Sequence, residues 1–373
     1  MGTARRVKAQ VIGGLLAVMG LAAACGTAGQ SGGAASGSPS AIGTVEQGFK
    51  IGLLLPESKT ARYEKFDRPY ITANIKSLCP KCEVVYNNAN QDPNLQQQQV
   101  DTMLTNGVKV LIVDAVDAKA IAAAVKKATD QGAKVVAYDR LAGGPVDAYT
   151  SFDNLQVGKM QGQALLDALK AGGDPKRGPI VMINGSPTDP NATEYKKGAH
   201  AVLDGQVSIG KEYDTPDWSP DQANTEANGA FTALGAQNVI GVYAANDGMA
   251  GGAAKAMQNS GVKPGTPLTG QDAELAAIQR LLLGTQTMTI YKPIKPEAEN
   301  AAKMAIALAT GQAPQGTTTV DNGTSAAIPA QIITPIVVTK DNVEDTVVKD
   351  GFWSVAEICT PQVRAACKAA GLE

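Results

Sequence analysis

Histidine, aromatic residues and basic runs are what this 373-residue sequence has least of, and each shortage removes a class of function. The only histidine, His200, sits in an alanine-rich helical stretch away from every strand-end loop. A Ser–His or Cys–His mechanism therefore has no base to work with, and His200 reads as a structural or surface residue. Lysine plus arginine (33) and aspartate plus glutamate (35) almost cancel. With no basic stripe to neutralise phosphates, nucleic acid is not an expected partner. No glycine-rich turn follows the first apolar strand, at 49–55, so a dinucleotide fold is not expected either. The one CxxC, Cys79-Pro80-Lys81-Cys82, has no second CxxC and no histidine nearby, which argues against zinc. It also follows a helical stretch (69–78) and precedes a strand (83–86), whereas a thioredoxin-type pair opens a helix after a strand. No metal and no cofactor are expected. Aromatic residues make up 4% of the chain, so each tryptophan and tyrosine carries more information than usual.

No apolar run spans a bilayer comfortably, and the longest, residues 9–24, follows Arg5, Arg6 and Lys8 in the manner of an export signal. Leu21-Ala22-Ala23-Ala24-Cys25 resembles a bacterial lipobox, with Ala22 where an aliphatic residue is usual. Cys25 would then be lipidated and become the mature N-terminus. A plain secretory signal, 1–24, cleaved near Ala24 is the alternative. Residues 25–48, rich in Gly, Ser and Ala, read as a flexible tether between membrane and domain. Export to the outer face of the cytoplasmic membrane means an oxidising compartment. Cys79, Cys82, Cys359 and Cys367 are then an even set. The short-range pairing 79–82 and 359–367 is favoured, and the other two pairings stay open.

What remains is a 44% hydrophobic chain long enough for two domains. Residues 268–293 organise it. They read as the end of a strand, Asp272, a helix with Leu275, Ile278, Leu281 and Leu282 on one face, a stop at Gly284, and a strand ending at Lys292 and Pro293. Asp272 and Lys292 thus stand at strand ends, the edge where open α/β sheets hold ligands. A charged pair without metal or phosphate chemistry beside it suits a polar, uncharged ligand. The segments 108–113, 118–130 and 134–138 form a βαβ unit. The extended segment 149–154 leads into a second α/β series: helix 157–171, strand 180–184, helix 192–203, strand 208–213, helix 221–234, strand 239–244. Two such series describe two lobes with a cleft between them.

The strand ends are polar throughout. Arg62 and Tyr63 follow the first strand and Asp139-Arg140 follow 134–138. Taken alone, that last pair reads as a surface ion pair. Asp189 and Asn191, then Asp217-Trp218, Asn246-Asp247 and Asp272 follow successive strands of the second series. Four in a row, one holding a scarce tryptophan, point to a shared binding cleft.

These residues also carry a resemblance. Ala137-Tyr138-Asp139-Arg140, Ser151-Phe152-Asp153-Asn154, Gly185-Ser186-Pro187, Asn246-Asp247, Gly270-Gln271-Asp272-Ala273, 284–289 and Tyr291-Lys292-Pro293 are similar to motifs of the periplasmic sugar-binding proteins of ABC importers. The xylose-binding branch is the nearest, and the likeness runs from about Phe49 to Phe352. It implies an α/β, two-lobed type I periplasmic-binding-protein fold, each lobe a parallel sheet flanked by helices, with three hinge crossovers. The implied N-terminal lobe is 49–152 plus 292–327 and the C-terminal lobe 153–291 plus 328–373. The helix 295–310 would return to the first lobe and 328–339 would cross back. Arg62, Asp139 and Arg140 would hold sugar hydroxyls from one lobe, Asn191, Trp218, Asn246 and Asp272 from the other, and Lys292 from the hinge. Asp189 and Tyr63 would be neighbours, Tyr63 standing where relatives commonly have tryptophan. The chemistry fits: Asp accepts, Arg and Lys donate, Asn does both, and Trp218 offers an apolar face to ring C–H groups.

The resemblance implies a non-enzymatic, monomeric lipoprotein that captures a monosaccharide, D-xylose before D-glucose, for the membrane subunits of an ABC permease. A sensor presenting the sugar to a receptor is the alternative. A glycoside-processing enzyme using carboxylates such as Asp189 and Asp272 is a more distant one.

Overall fold

The computed structural model describes residues 41–372. The export signal, Cys25 and the tether up to residue 40 lie outside the described residues. The last part of the expected tether is docked rather than free. The Ile42 and Gly43 amides both donate to Ala309 O, and Ile42, Val45 and Phe49 pack on the core.

Among the described residues twelve strands form two main sheets, of seven and three strands, and one two-stranded pair. In chain order they are β1 (Lys50–Leu55), β2 (Glu83–Asn88), β3 (Val110–Val113), β4 (Lys134–Tyr138), β5 (Ala148–Phe152), β6 (Pro179–Asn184), β7 (Ser208–Asp214), β8 (Gly241–Ala244), β9 (Thr289–Tyr291), β10 (Thr318–Val320), β11 (Ile328–Ile333) and β12 (Ile336–Val338). The first sheet runs β10-β11-β5-β4-β3-β1-β2, parallel except for the β10–β11 pair. Its central strands are apolar along their whole length. All four residues of β3, VLIV, are buried, as expected of a parallel strand covered on both faces. Helices α1 (Arg68–Leu78) and α9 (Ile294–Ala309) cover one face, α2 (Pro93–Thr105) and α3 (Ala122–Asp130) the other.

The second sheet is β7-β6-β8, parallel, extended by a bridge from Val242 to Leu268. The antiparallel pair β9–β12 joins through Asp272 N donating to Ile290 O and Ile290 N to Gly270 O. Around it lie α4 (Asn154–Ala171), α5 (Pro190–Leu203), α6 (Pro220–Leu234), α7 (Asp247–Ser260) and α8 (Leu275–Leu282). The chain ends in α10 (Val355–Ile358) and α11 (Arg364–Ala369). Cys79 is bonded to Cys82 and Cys359 to Cys367.

The chain passes between the two halves three times: from β5 to α4, from β9 to α9, and from β11 to β12. Two segments read as crossovers, 149–154 and 328–339, begin as strands of the first sheet. Residues 148–152 are a fully buried strand of the first sheet, so the first passage is confined to residues 152–154. The second half was expected to resume at 328. Instead β11 pairs in parallel with β5, because its buried Ile328 and Ala330 complete the first core, and the passage comes after Ile333. The stretch ending at Leu268, read as a strand, makes only the single bridge.

Candidate functional site

In both sheets the candidate side chains leave the carboxyl ends of strands on either side of a topological switch, β1/β3 in the first and β6/β8 in the second. Arg62 and Tyr63 follow β1, and Asp139 and Arg140 follow β4. Asp189 and Asn191 follow β6, Trp218 follows β7, Asn246 follows β8, Asp272 sits in the loop before α8, and Lys292 ends β9. The fold brings all ten to one cavity, together with Thr60, Tyr195 and Gln271. The cavity they line is small, about 20 Å³. Asp139 and Arg140 are each 3% exposed, so the surface-pair reading of these two does not hold.

The walls are built on backbone that ordinary residues avoid. Asp139 (φ 54°), Asp217 (φ 56°), Trp218 (φ 53°), Asp272 (φ 91°) and Ala273 (φ 49°) all lie at positive φ. Such conformations cost energy and persist where the surroundings over-determine them. At Asp139 the determinants are visible: its carbonyl accepts from Tyr149 Oη (3.0 Å), Ser151 Oγ (2.5 Å) and Asn191 Nδ2 (3.2 Å). Trp218 is seated by Gly185, where a Cβ would lie 2.0 Å from the indole ring. Its Nε1 donates to Asp189 Oδ2 at 3.1 Å, and its ring meets Tyr195 edge-on at 6.2 Å.

Charge is concentrated and nearly all internal. The Arg62 guanidinium donates through Nε to Asp67 Oδ2 (3.0 Å) and through Nη2 to Asp67 Oδ1 (2.6 Å) and Glu297 Oε2 (2.8 Å). Its Nη1 faces Asp139 Oδ2 at 3.4 Å. Arg140 Nε lies 2.8 Å from Asp189 Oδ2 and 3.4 Å from Asp114 Oδ1, and Lys292 Nζ lies 2.9 Å from Asp272 Oδ1. Three cations thus meet six carboxylates: Asp67, Asp114, Asp139, Asp189, Asp272 and Glu297. Burial pushes Asp114 and Glu297 well up, and raises Asp189, in each case against the pull of an arginine. At Asp139 burial is outweighed by Arg62, Lys292 and Arg140, which hold the carboxyl below its usual range. Burial opposes the charge of Lys292 too, but Asp272 keeps that amine well above the usual lysine value. The shifts run toward balance, which suits a ligand without net charge.

Some polar atoms in this enclosure have no hydrogen bond. Asp139 Oδ1 is buried and unbonded, while Arg62 Nη1 and Asp272 Oδ1 have only their ion pairs, with Asp139 Oδ2 and Lys292. Gln271 Oε1 is a fourth. Buried donors and acceptors left open are costly unless a partner arrives. An arrangement with donors and acceptors on several sides and an indole face fits a polyhydroxylated ring.

Sequence reasoning missed several of these residues. Tyr195 lies one helical turn after Asn191 on α5, a spacing that could have pointed to it. Asp67 grips Arg62 from five residues away because residues 63–67 form one π-turn, not a regular helix. Glu297 is 235 residues from Arg62, and nothing local marks it. Asp189 does more than neighbour the cavity: it caps α5 by accepting from Asn191 N and pairs with Arg140 and Trp218.

Residues 51–313 match the family model described as a periplasmic binding protein domain. Over 315 residues the chain is 37% identical to the D-xylose-binding periplasmic protein of Escherichia coli, covering 83% of this chain and 92% of the relative. It is 31% identical over 330 residues to the multiple sugar-binding periplasmic receptor ChvE of Rhizobium radiobacter, covering 83% and 92%. A carbohydrate transporter solute binding protein from Chloroflexus aurantiacus, solved in complex with D-glucose, superposes with a TM-score of 0.74 at 28% identity. That superposition covers 82% of this chain and 97% of the other. With a family model matching most of its length and full-length relatives above 30% identity, the chain belongs to the periplasmic binding protein family, with its type I fold.

Proposed function

We propose that this protein is an exported solute-binding lipoprotein. It captures a neutral monosaccharide, D-xylose before D-glucose, between its two halves and delivers it to the membrane subunits of an ABC permease. The observation that carries this reading is the enclosure itself. Residues of both halves that carry buried polar atoms without a hydrogen bond (Asp139 Oδ1 on one side, Gln271 Oε1 on the other) line one cavity with the Trp218 ring. The relatives, one xylose-binding and one multiple sugar-binding, support a pentose or hexose. In this reading the ten residues from Arg62 to Lys292 hold the sugar, and the two halves are lobes that hinge at the three chain passages. The protein acts as a monomer tethered through Cys25.

The direct test is thermal unfolding of the domain from Gly26 against xylose, glucose, galactose, arabinose and ribose. A ligand that binds only the folded state adds about 2.7 kcal/mol at a hundredfold excess over its Kd, roughly a 5 °C rise for a chain of this size. A rise with xylose far above the others is the expected result. Silence across the whole panel would refute the sugar reading. Labelling of Cys25 with a fatty-acid analogue in a bacterial host, lost in Cys25→Ala, tests the anchor.

A further inference from the structure

The C-terminal segment after β12 makes contacts in both halves of the molecule. Phe352 and Trp353 are 4% and 3% exposed. On one side Trp353 Nε1 donates to Ala273 O at 2.7 Å. Ala273 directly follows Asp272, and both hold positive φ. Gln279 Nε2, on α8, donates to Ile358 O at 3.1 Å, fixing the same segment to the second half. On the other side Phe66 stacks on Phe352 with ring centroids 4.1 Å apart and meets Trp353 edge-on at 5.3 Å. Lys65 Nζ stands 4.0 Å from the Trp353 ring centroid and 2.9 Å from Glu357 Oε1. The bonds from Lys65 and Ser354 hold the Glu357 carboxyl down to about 2. Lys65 and Phe66 belong to the turn that begins immediately after Arg62.

One aromatic plate thus touches the turn carrying Arg62 and the loop carrying Asp272, which come from different halves of the molecule. Neither Lys65 nor Trp353 lines the cavity. We propose that the C-terminal segment is a clasp joining the Arg62 turn to the Asp272 loop, with Trp353 and Lys65 as positioning residues that set how tightly the closed site holds its ligand. The Cys359–Cys367 bond gives so short a segment a fixed shape behind the plate. The affinity consequence rests on the sugar-binding reading, while the mechanical coupling does not.

The experiment compares wild type, Lys65→Ala, Lys65→Arg and Trp353→Phe by xylose titration calorimetry and by amide hydrogen exchange without sugar. The Lys65 side chain is 44% exposed, so Lys65→Ala should leave the unliganded melting temperature unchanged. It should nonetheless weaken sugar binding about fivefold, and Lys65→Arg, which keeps the cation over the ring, should restore it. Trp353→Phe keeps the stack but loses the bond to Ala273 O. It should weaken binding about tenfold, mainly through a faster off-rate. In the exchange experiment Lys65→Ala should speed exchange of the Glu274 amide, which lies two residues beyond Asp272 and donates to Asp247 Oδ2. Wild-type affinity in both Lys65→Ala and Trp353→Phe would overturn the clasp. If wild type binds no sugar, the functional reading fails and exchange alone decides: an unaltered Glu274 amide in Lys65→Ala would again overturn it.

Discussion

Asp272 shows how much rests on single residues here. It holds φ 91°, pairs with Lys292 at 2.9 Å, and keeps Oδ1 free of any other partner. On the proposed reading Asp272→Ala removes an acceptor for a sugar hydroxyl, and it leaves the Lys292 amine buried without its counter-charge. Sugar binding should weaken by about 2–4 kcal/mol, and the unliganded protein should also lose stability. Asp272→Asn separates the two effects: it keeps the shape and an acceptor, and so should recover part of the affinity. Calorimetric titration of both variants checks this, and an unchanged Kd for Asp272→Ala would remove Asp272 from the site. The sequence made Asp272 visible because a carboxylate at a strand end, followed by an amphipathic helix, is a local pattern. Asp189 and Asn246 were visible for the same reason, yet both also cap helices, accepting from Asn191 N and Met249 N. Capping alone would account for their residue types, and only the shared cavity adds the second role. Glu297 and Asp114 could not be seen, since nothing in their neighbourhoods announces an arginine brought in by the fold.

At the level of elements, the loop between α7 and α8 depends on Asp247, the first residue of α7. Its Oδ2 accepts from Glu274 N (3.0 Å) and Thr289 Oγ1 (2.7 Å), and its Oδ1 from Gln286 Nε2 (2.7 Å). Gly270 leaves room for this carboxyl, since a Cβ there would come within 2.0 Å of Asp247 Oδ1. Sequence periodicity found α8 and β9 around this loop but not the loop's shape. Residues 268–273 are held by one bridge, by scattered backbone bonds such as Asp272 N to Ile290 O, and by side chains, and these leave no alternating pattern to read. Burial pushes Asp247 up to about 7 and, with Asp247 and Asp272 adding to it, Glu274 up to about 8. A carboxyl raised in the folded state binds more protons there than in the unfolded chain. Its contribution to stability is therefore greatest in acid and is lost as pH rises from the unfolded carboxylate range toward 7 and 8. Asp247→Asn takes away that loss. The melting temperature of the variant relative to wild type should therefore move in the variant's favour between pH 5 and 8. Parallel melting curves across that range would show that Asp247 carries no such linkage.

Across the whole molecule, the two α/β series and their order were legible because hydrophobic period and turn residues are local. The passages between halves were only partly so. Strands β5 and β11 are apolar like any core strand, and pairing, not composition, assigns them to the first sheet. The closed arrangement was not legible at all, because it is made of contacts between halves. At the mouth of the cleft Thr188, between β6 and α5, accepts through its carbonyl from Ala118 N (3.3 Å). It also donates through Oγ1 to Val116 O (3.3 Å). Both partners follow β3 in the other half, as Arg140 and Asp189 face each other across the same gap. If the halves hinge, these rim bonds exist only when the cleft is shut. They then act after the sugar has entered and resist its departure, so a rim variant changes the off-rate and spares the on-rate. Thr188→Ala deletes the Oγ1 bond and keeps the backbone one, at a cost of about 1 kcal/mol, or roughly fivefold in off-rate. Stopped-flow tryptophan fluorescence, with Trp218 in the site as reporter, measures both rates. A slower on-rate at an unchanged off-rate would mean that the rim is already formed when sugar arrives, and that the two halves do not open to admit it.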